Sequence, residues 1–259
     1  GFIDALTEKL GDKVSISNQN AAGDSATCAT IVNTFVSDEV DLIMANATPA
    51  LQAAQAATNK IPVLGTSITE YGVALDLDDF NGVTGINVSG TSDLAPLDGQ
   101  ADMVAEIFPD AKTVGILYCS AEANSKYQVE TITPFLEEKG YTVTAYTFTD
   151  TNDVSAVTTT ACGENDVLYI PTDNTAASCA EAINNIALPA GVPIVCGEEG
   201  ICAGCGVVTL SISYYDIGYA TGLMAYEIMV NGADVSAMPI EYAPQFTKEY
   251  NAVNCEALG

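Results

Sequence analysis

The sequence predicts an α/β protein with two doubly wound parallel-sheet lobes joined by a hinge of several strand-like crossings. Short apolar runs rich in β-branched residues alternate with longer segments whose apolar residues recur at helical spacing. This alternation indicates parallel strands connected by helical crossovers. The pattern restarts near Val114, which indicates a second lobe of the same kind. With 259 residues, 48% of them hydrophobic, the chain is long enough for two cores.

The first part of the chain follows this alternation. Apolar residues at helical spacing from Phe2 to Leu10 predict a first helix, which ends at Gly11. Asp24 precedes a second helix whose apolar residues share one face. The strands predicted in this part cover residues 14–18, 41–45, 61–64 and 83–86.

The second part repeats the pattern after a helix over residues 93–108. Its predicted strands cover residues 114–118, 142–147, 167–170, 193–196 and 207–211. A strongly apolar helix then runs from Ser213 to Val230. The predicted crossings lie near residues 87–92, 212–215 and 233–241. We therefore expect an N-terminal lobe of residues 1–87 and 214–238, and a C-terminal lobe of residues 88–213 and 239–259, with a ligand cleft between them.

The charged residues narrow the range of functions. Seven lysines and no arginine stand against 34 acidic residues, a net charge of -27 that repels nucleic acids. Without arginine, a bound carboxylate must be held by backbone amides, hydroxyls or a lysine. Without histidine, Ser-His and His-metal chemistry are both unavailable. We expect a monomer that is not an enzyme and has no cofactor, no metal and no nucleic-acid partner.

Polar residues follow three predicted strands, at the edge where ligands bind to parallel sheets. Their hydroxyls, amides and carboxylates, together with helix N-terminal amides, suit a zwitterion with a carboxylate at one end and an ammonium at the other. The same residue types are also good helix N-caps, so capping remains the alternative. Asp216 could either cap its helix or point into the cleft. The candidate ligand-binding residues are Thr48, Ser120, Glu122, Asn124, Ser125, Asp173, Asn174 and Asp216.

The eight cysteines leave the redox compartment open. Cys202 and Cys205, with Cys196 upstream, have a spacing found in redox or metal sites, but no histidine accompanies them. Buried thiols or a local disulfide are the simpler interpretation. Cys119 and Cys196 both follow strands, as the paired thiols of a cofactor-independent racemase do.

Four separated motifs resemble a known family, the extracytoplasmic substrate-binding lipoproteins of ABC importers, in the branch with tryptophan- and tyrosine-binding members. The motifs are Ala47-Thr48-Pro49-Ala50 and residues 115–126, 169–175 and 216–222. The resemblance extends over the whole chain. It implies a type I periplasmic-binding-protein fold that closes by a hinge on a free amino acid, aromatic in this branch (Trp, Tyr or Phe). It also implies delivery to a membrane permease and a lipid-anchored or periplasmic location.

Carried over by motif, the resemblance assigns residues to the two ends of the amino acid. Thr48, Ser120, Asn124 and Ser125 would hold the α-carboxylate, whereas Asp173, with Asn174 and Asp216, would take the α-ammonium. We expect Asp173→Ala to abolish binding without unfolding the chain. Family members have a strand and a polar loop before the helix that starts here at Gly1, so we expect the set of site residues to be incomplete.

Two alternatives differ from the importer interpretation. One is a ligand-sensing domain of the same fold that serves a receptor or regulator, which a fused signalling segment would reveal. The other is the thiol-dependent racemase, which requires both Cys119 and Cys196.

Overall fold

The computed structural model describes residues 1–259 and divides them into two compact units. The first comprises Gly1–Leu94 and Ser213–Pro244, and the second comprises Ala95–Ile212 and Gln245–Gly259. The chain therefore passes between the units three times.

The first unit contains a four-stranded parallel sheet. Its strands are β1 (Ile43–Asn46), β2 (Val63–Ile68), β3 (Val88–Ser92) and β9 (Glu241–Tyr242), paired in that order. Its helices are α1 (Phe2–Leu10), α2 (Ser25–Ser37), α3 (Thr48–Ala57), α4 (Tyr71–Leu75) and α11 (Tyr214–Asn231). Two short 3-10 helices cover Gly11–Lys13 and Val235–Ala237.

The second unit contains a six-stranded sheet in the order β10-β8-β7-β6-β4-β5. Its strands are β4 (Thr113–Cys119), β5 (Thr142–Phe148), β6 (Val167–Ile170), β7 (Ile194–Cys196), β8 (Val208–Ser211) and β10 (Thr247–Tyr250). All pairs are parallel except β10 with β8. Its helices are α5 (Leu97–Ile107), α6 (Ala123–Glu138), α7 (Val154–Glu164), α8 (Asn174–Ser178), α9 (Ala180–Ala190), α10 (Glu199–Cys205) and α12 (Ala252–Leu258).

Two mostly parallel sheets with intervening helices confirm the predicted fold class. The central strands β6 and β7 of the second unit are buried along their whole length, and Leu117, Leu168, Ile170 and Ile194 are fully buried in one core. Near-continuous apolar runs are typical of such strands. Full burial of each aliphatic side chain stabilises the fold by about 1.5–3 kcal/mol. No helix combines the length and the apolar character needed to cross a membrane.

Two predicted strands are wrong. Residues 14–18 form no strand, because their alternating side chains remain largely outside the core and pair with no neighbour. Residues 83–86 precede the true strand β3, and Val83 forms only an isolated bridge with Pro239. The sequence of β3 is polar, yet its hydroxyls are buried and bonded within the chain, as when Ser89 Oγ donates to the Met238 carbonyl at 3.0 Å.

The unit boundaries differ from the predicted ones at all three crossings. We expected residues 88–94, Ser213 and residues 239–244 in the C-terminal lobe, whereas the structure places all of them in the first unit. The reason is strand pairing, since β3 pairs with β2 and β9 pairs with β3. The predicted crossing near 87–92 is therefore an interior strand.

Candidate ligand-binding site

Six of the eight candidate residues lie in the second unit, after the carboxyl ends of β4 and β6. These strands pair in parallel, with Val114 opposite Val167 and Ile116 opposite Tyr169. Loops that follow neighbouring parallel strands meet at one edge of the sheet. We call these six residues the strand-end cluster: Ser120, Glu122, Asn124, Ser125, Asp173 and Asn174.

Asp173 is the most buried carboxylate of the cluster, with 1% of its surface exposed. Its Oδ1 accepts the amide of Ala176 at 2.7 Å, which caps α8, and its Oδ2 accepts the amide of Cys119 at 2.7 Å. Burial, and secondly the charge of Glu122, raise the pKa of Asp173 to about 6, although both amides favour the ionised form. Asp173 therefore also holds the backbone of two segments, and the expectation that Asp173→Ala leaves the fold undisturbed needs correction.

Glu122 extends from the start of α6 to the start of α8. Its Oε1 accepts the amide and hydroxyl of Thr175 at 2.8 and 2.7 Å. Its Oε2 accepts the backbone and side-chain amides of Asn174 at 3.0 and 2.7 Å. Because Asp173 accepts the next amide, the first turn of α8 is fully engaged by carboxylates. A ligand carboxylate has no free donor there.

The first turn of α6 is different, because the side chain of its N-cap residue, Glu122, accepts a hydrogen bond from the Asn124 side chain at 3.2 Å but from none of the backbone amides of the turn. Asn124 and Ser125 lie in this turn and are 5% and 0% exposed. The Nδ2 of Asn124 donates to the Thr172 carbonyl at 3.1 Å, but its buried Oδ1 has no hydrogen-bond partner. This turn thus combines free helix amides, which bind anions, with an unpaired acceptor, which binds an N–H group.

The remaining two members of the cluster lie at its exposed side. Ser120 is exposed, and its Oγ donates to the Phe148 carbonyl at 3.2 Å. Asn174 is also exposed, with its side-chain amide bound to Glu122. Both contribute polar groups next to the buried part of the cluster.

Sequence reasoning missed Gln128, which is 1% exposed. Its Oε1 accepts the amide of Thr172 at 2.9 Å, and its Nε2 donates to the carbonyls of Thr172 at 2.9 Å and of Asn124 at 3.1 Å. Gln128 therefore joins α6 to the peptide that precedes Asp173. A polar residue four positions after Asn124, on the same face of the helix, is the signal that could have found it.

Thr48 and Asp216 lie in the first unit. Thr48 is 4% exposed and begins α3 directly after Ala47, whose φ of 74° and ψ of 156° belong to a region that is essentially reserved for glycine. Asp216 is exposed in the first turn of α11, and its amide donates to Ser213 Oγ at 3.2 Å. Ser213 rather than Asp216 therefore caps α11.

Residues 1–259 match the family model described as ABC transporter substrate binding protein. The chain belongs to this family. Over 246 residues it is 35% identical to a tyrosine-binding protein of Clostridioides difficile, an alignment that covers 93% of this chain and 70% of the relative.

Two solved structures of substrate-binding proteins are also similar. An ABC domain from Streptococcus pneumonia in complex with L-Trp matches with a TM-score of 0.93 and 30% identity, covering 100% of this chain and 88% of that one. A ligand-free, open substrate-binding protein with adhesive properties from Clostridium difficile matches with a TM-score of 0.74 and 36% identity, at the same coverage of both chains.

These similarities confirm the predicted family and the type I periplasmic-binding-protein-like fold. The chain is thus a solute-binding component of the ABC transporter class, whose members act outside the cytoplasm. One relative is named a tyrosine-binding protein, and another was solved in complex with L-Trp.

Proposed function

We propose that this solute-binding protein takes a free aromatic amino acid, tyrosine, tryptophan or phenylalanine, and delivers it to a membrane permease. The observation that carries the proposal is the first turn of α6, where free helix amides lie beside the unpaired Oδ1 of buried Asn124. A buried acceptor without a partner costs about 1–3 kcal/mol, which a ligand N–H group would recover. The aromatic class is supported by the tyrosine-binding relative and by the relative in complex with L-Trp.

The α-carboxylate fits the N-terminus of α6. This helix has 16 residues, and its positive end favours a negative charge by about 0.3–1 kcal/mol at an exposed site. In the proposal, the amides of the first turn and the hydroxyls of Ser120 and Ser125 donate to the carboxylate. Thr48 of the first unit retains the carboxylate role that the family resemblance implies.

The α-ammonium fits the acidic part of the strand-end cluster. Asp173 and Glu122 bring two carboxylates together, and each Asp173 oxygen retains a lone pair besides the one that accepts a backbone amide. The unpaired Oδ1 of Asn124 adds a neutral acceptor. Asn174 and Asp216 stay in the proposal as further acceptors.

The buried thiols disfavour the racemase alternative. Cys119 and Cys196 are 1% and 0% exposed, and burial raises the pKa of both thiols. A thiol that resists ionisation is a poor nucleophile or base.

We propose a binding protein without catalysis, held near the permease by a lipid anchor. Fractionation of cells that express the full gene product would place it with the membranes.

The test of the ligand is calorimetry with tyrosine and two analogues. Tyramine lacks the carboxylate, and 3-(4-hydroxyphenyl)propionate lacks the ammonium. We expect L-tyrosine, L-tryptophan or L-phenylalanine to bind and both analogues to bind at least a hundredfold more weakly, since each leaves one charged subsite unpaired. Binding of sugars alone, or equal binding of tyramine and tyrosine, would contradict the proposal.

The test of the site is the variant Asn124→Ala, with Asn33→Ala as a matched control on an exposed helix position. We expect Asn124→Ala to weaken amino-acid binding about tenfold or more and Asn33→Ala to leave the affinity unchanged. Equal affinity in the two variants would remove Asn124 from the site.

A further inference from the structure

Three cysteines that have no part in the proposed ligand site lie together in the core of the second unit. Cys196 ends β7, and Cys202 and Cys205 lie in α10. They are 0%, 3% and 3% exposed and belong to one apolar cluster. All three are free thiols.

The backbone around Gly206 brings the first two of these thiols together. A side chain at Gly206 would collide with the sulfur of Cys196, and its Cβ would lie 2.9 Å from the Cα of Cys202. Because Gly206 has no side chain, the Cys196 sulfur can lie in the space next to Cys202. A disulfide requires such proximity of the two residues.

Cys202 is a better partner for Cys196 than Cys205 is. The Cys205 thiol donates to the carbonyl of Ile201 at 3.4 Å, within its own helix. The neighbouring Cys196 thiol lowers the pKa of Cys202 more than burial raises it. Since the thiolate is the reactive form, Cys202 is the thiol of the pair that is prepared for attack.

The helix that carries Cys202 is suited to local opening. α10 has seven residues, and Gly200 and Gly204 are two of them. Each glycine disfavours a helix by about 1 kcal/mol relative to alanine. A short helix of this kind unfolds locally more readily than the strands beneath it, which gives an oxidant access to a buried thiol.

We propose that Cys196 and Cys202 form a disulfide in the oxidising environment outside the cytoplasm, while Cys205 remains a thiol. Disulfides persist in such compartments. The oxidant is a small-molecule disulfide such as oxidised glutathione. The Cys202 thiolate attacks one of its sulfurs and releases the first glutathione thiolate. In the locally opened form, where water reaches Cys196, its thiol loses a proton to solvent, and the thiolate attacks the Cys202 sulfur, forms the S–S bond and releases the second glutathione thiolate.

This exchange balances, because two cysteine thiols lose two electrons and two protons and the oxidant leaves as two thiols.

The disulfide would close a short loop that includes Gly197, whose amide donates to the Ile170 carbonyl at 2.7 Å. We expect the melting temperature to rise by roughly 5 °C on oxidation, since closing a loop of this length restricts the unfolded chain.

The test compares the native chain before and after incubation with oxidised glutathione, followed by alkylation and digestion after glutamate. Cleavage after Glu198 or Glu199 separates Cys196 from Cys202. We expect two fewer free thiols, a crosslinked pair of peptides, and fragment ions that assign the bond to Cys202. The melting temperature should rise and return to its first value with a reductant.

Two alanine variants supply the matched control. Cys205→Ala should form the disulfide and show the same thermal shift, whereas Cys202→Ala should show neither. The proposal is overturned if the native chain keeps all its thiols, if the bond maps to Cys205, or if oxidation stops at glutathione adducts. It is also overturned if Cys205→Ala abolishes the crosslink.

Discussion

Replacing Gln128 by leucine would separate the ligand-binding role of the buried amide from its contribution to stability. Gln128 makes three hydrogen bonds, two of them to the Thr172 peptide. Leucine is of similar size, so little cavity results, but the Thr172 amide loses its partner. A lost bond costs about 1 kcal/mol and a buried unpaired amide about 1–3 kcal/mol, so we expect the free energy of unfolding to fall by about 3 kcal/mol.

Urea unfolding and calorimetry measure the two effects. With a denaturant slope of about 1–3 kcal/mol/M, the urea midpoint should fall by about 1 M or more. The affinity for the amino acid should fall about tenfold, or 1.4 kcal/mol, because Thr172 and Asn124 lose the group that holds both.

Gln100→Leu is the matched control, because Gln100 is also 1% exposed and also makes three hydrogen bonds. Its partners are Gly197, Leu210 and Tyr169, none of which is a candidate ligand residue. It should lower the urea midpoint to a similar degree and change the affinity less than twofold. An equal loss of affinity in both variants, or an unchanged urea midpoint for Gln128→Leu, would refute the reasoning.

Three further predictions concern charge and backbone strain. Removing the negative charge in Glu122→Gln should lower the pKa of Asp173, which NMR titration of the carboxyl carbon would show; an unchanged pKa would contradict the contact. Because the folded pKa of Asp173 is about 6 and its ordinary value is 3.8, its stabilising effect is complete below pH 4 and is lost as the pH rises through 6. Between pH 4 and 7, the free energy of unfolding should therefore fall by about 3 kcal/mol less in Asp173→Asn than in the native chain. The same fall in both proteins would contradict the raised pKa of Asp173. Ala47→Gly should relieve the backbone at φ 74° and raise the melting temperature by about 2–4 °C, whereas a decrease would show that this residue is unstrained.

The sequence was sufficient to predict elements whose side chains have one uniform environment. Strand β6 is apolar throughout and was predicted with its observed bounds, Val167–Ile170. Strand β3 was predicted only as a strand-like crossing between the lobes and not as part of the first sheet, because its Ser and Thr side chains are polar, although the chain supplies partners for them inside the first unit. Hydrogen bonds between distant segments leave no local pattern, so polar interior strands are the hardest to recognise.

The same limit applies to the candidate site. The meeting of the loops after β4 and β6 followed from the parallel pairing of their strands, so the cluster could be predicted. The partners within it could not. Glu122 binds amides 52 and 53 positions further along the chain, and Gln128 binds a peptide 44 positions away. Only the folded structure shows that the side chains of Glu122 and Gln128 already form hydrogen bonds with other parts of the chain.

The division of the chain into discontinuous units determines when each unit can fold during synthesis. The first unit needs residues 213–244, which include α11, and the second needs residues 245–259, which supply β10 at the edge of its sheet. A ribosome adds about 5–20 residues per second, and domains fold as their segments become available. The first unit cannot be completed before residue 244 has been added, nor the second before residue 259. In a family that acts outside the cytoplasm, late completion keeps the nascent chain unfolded during the interval in which export machinery can engage it.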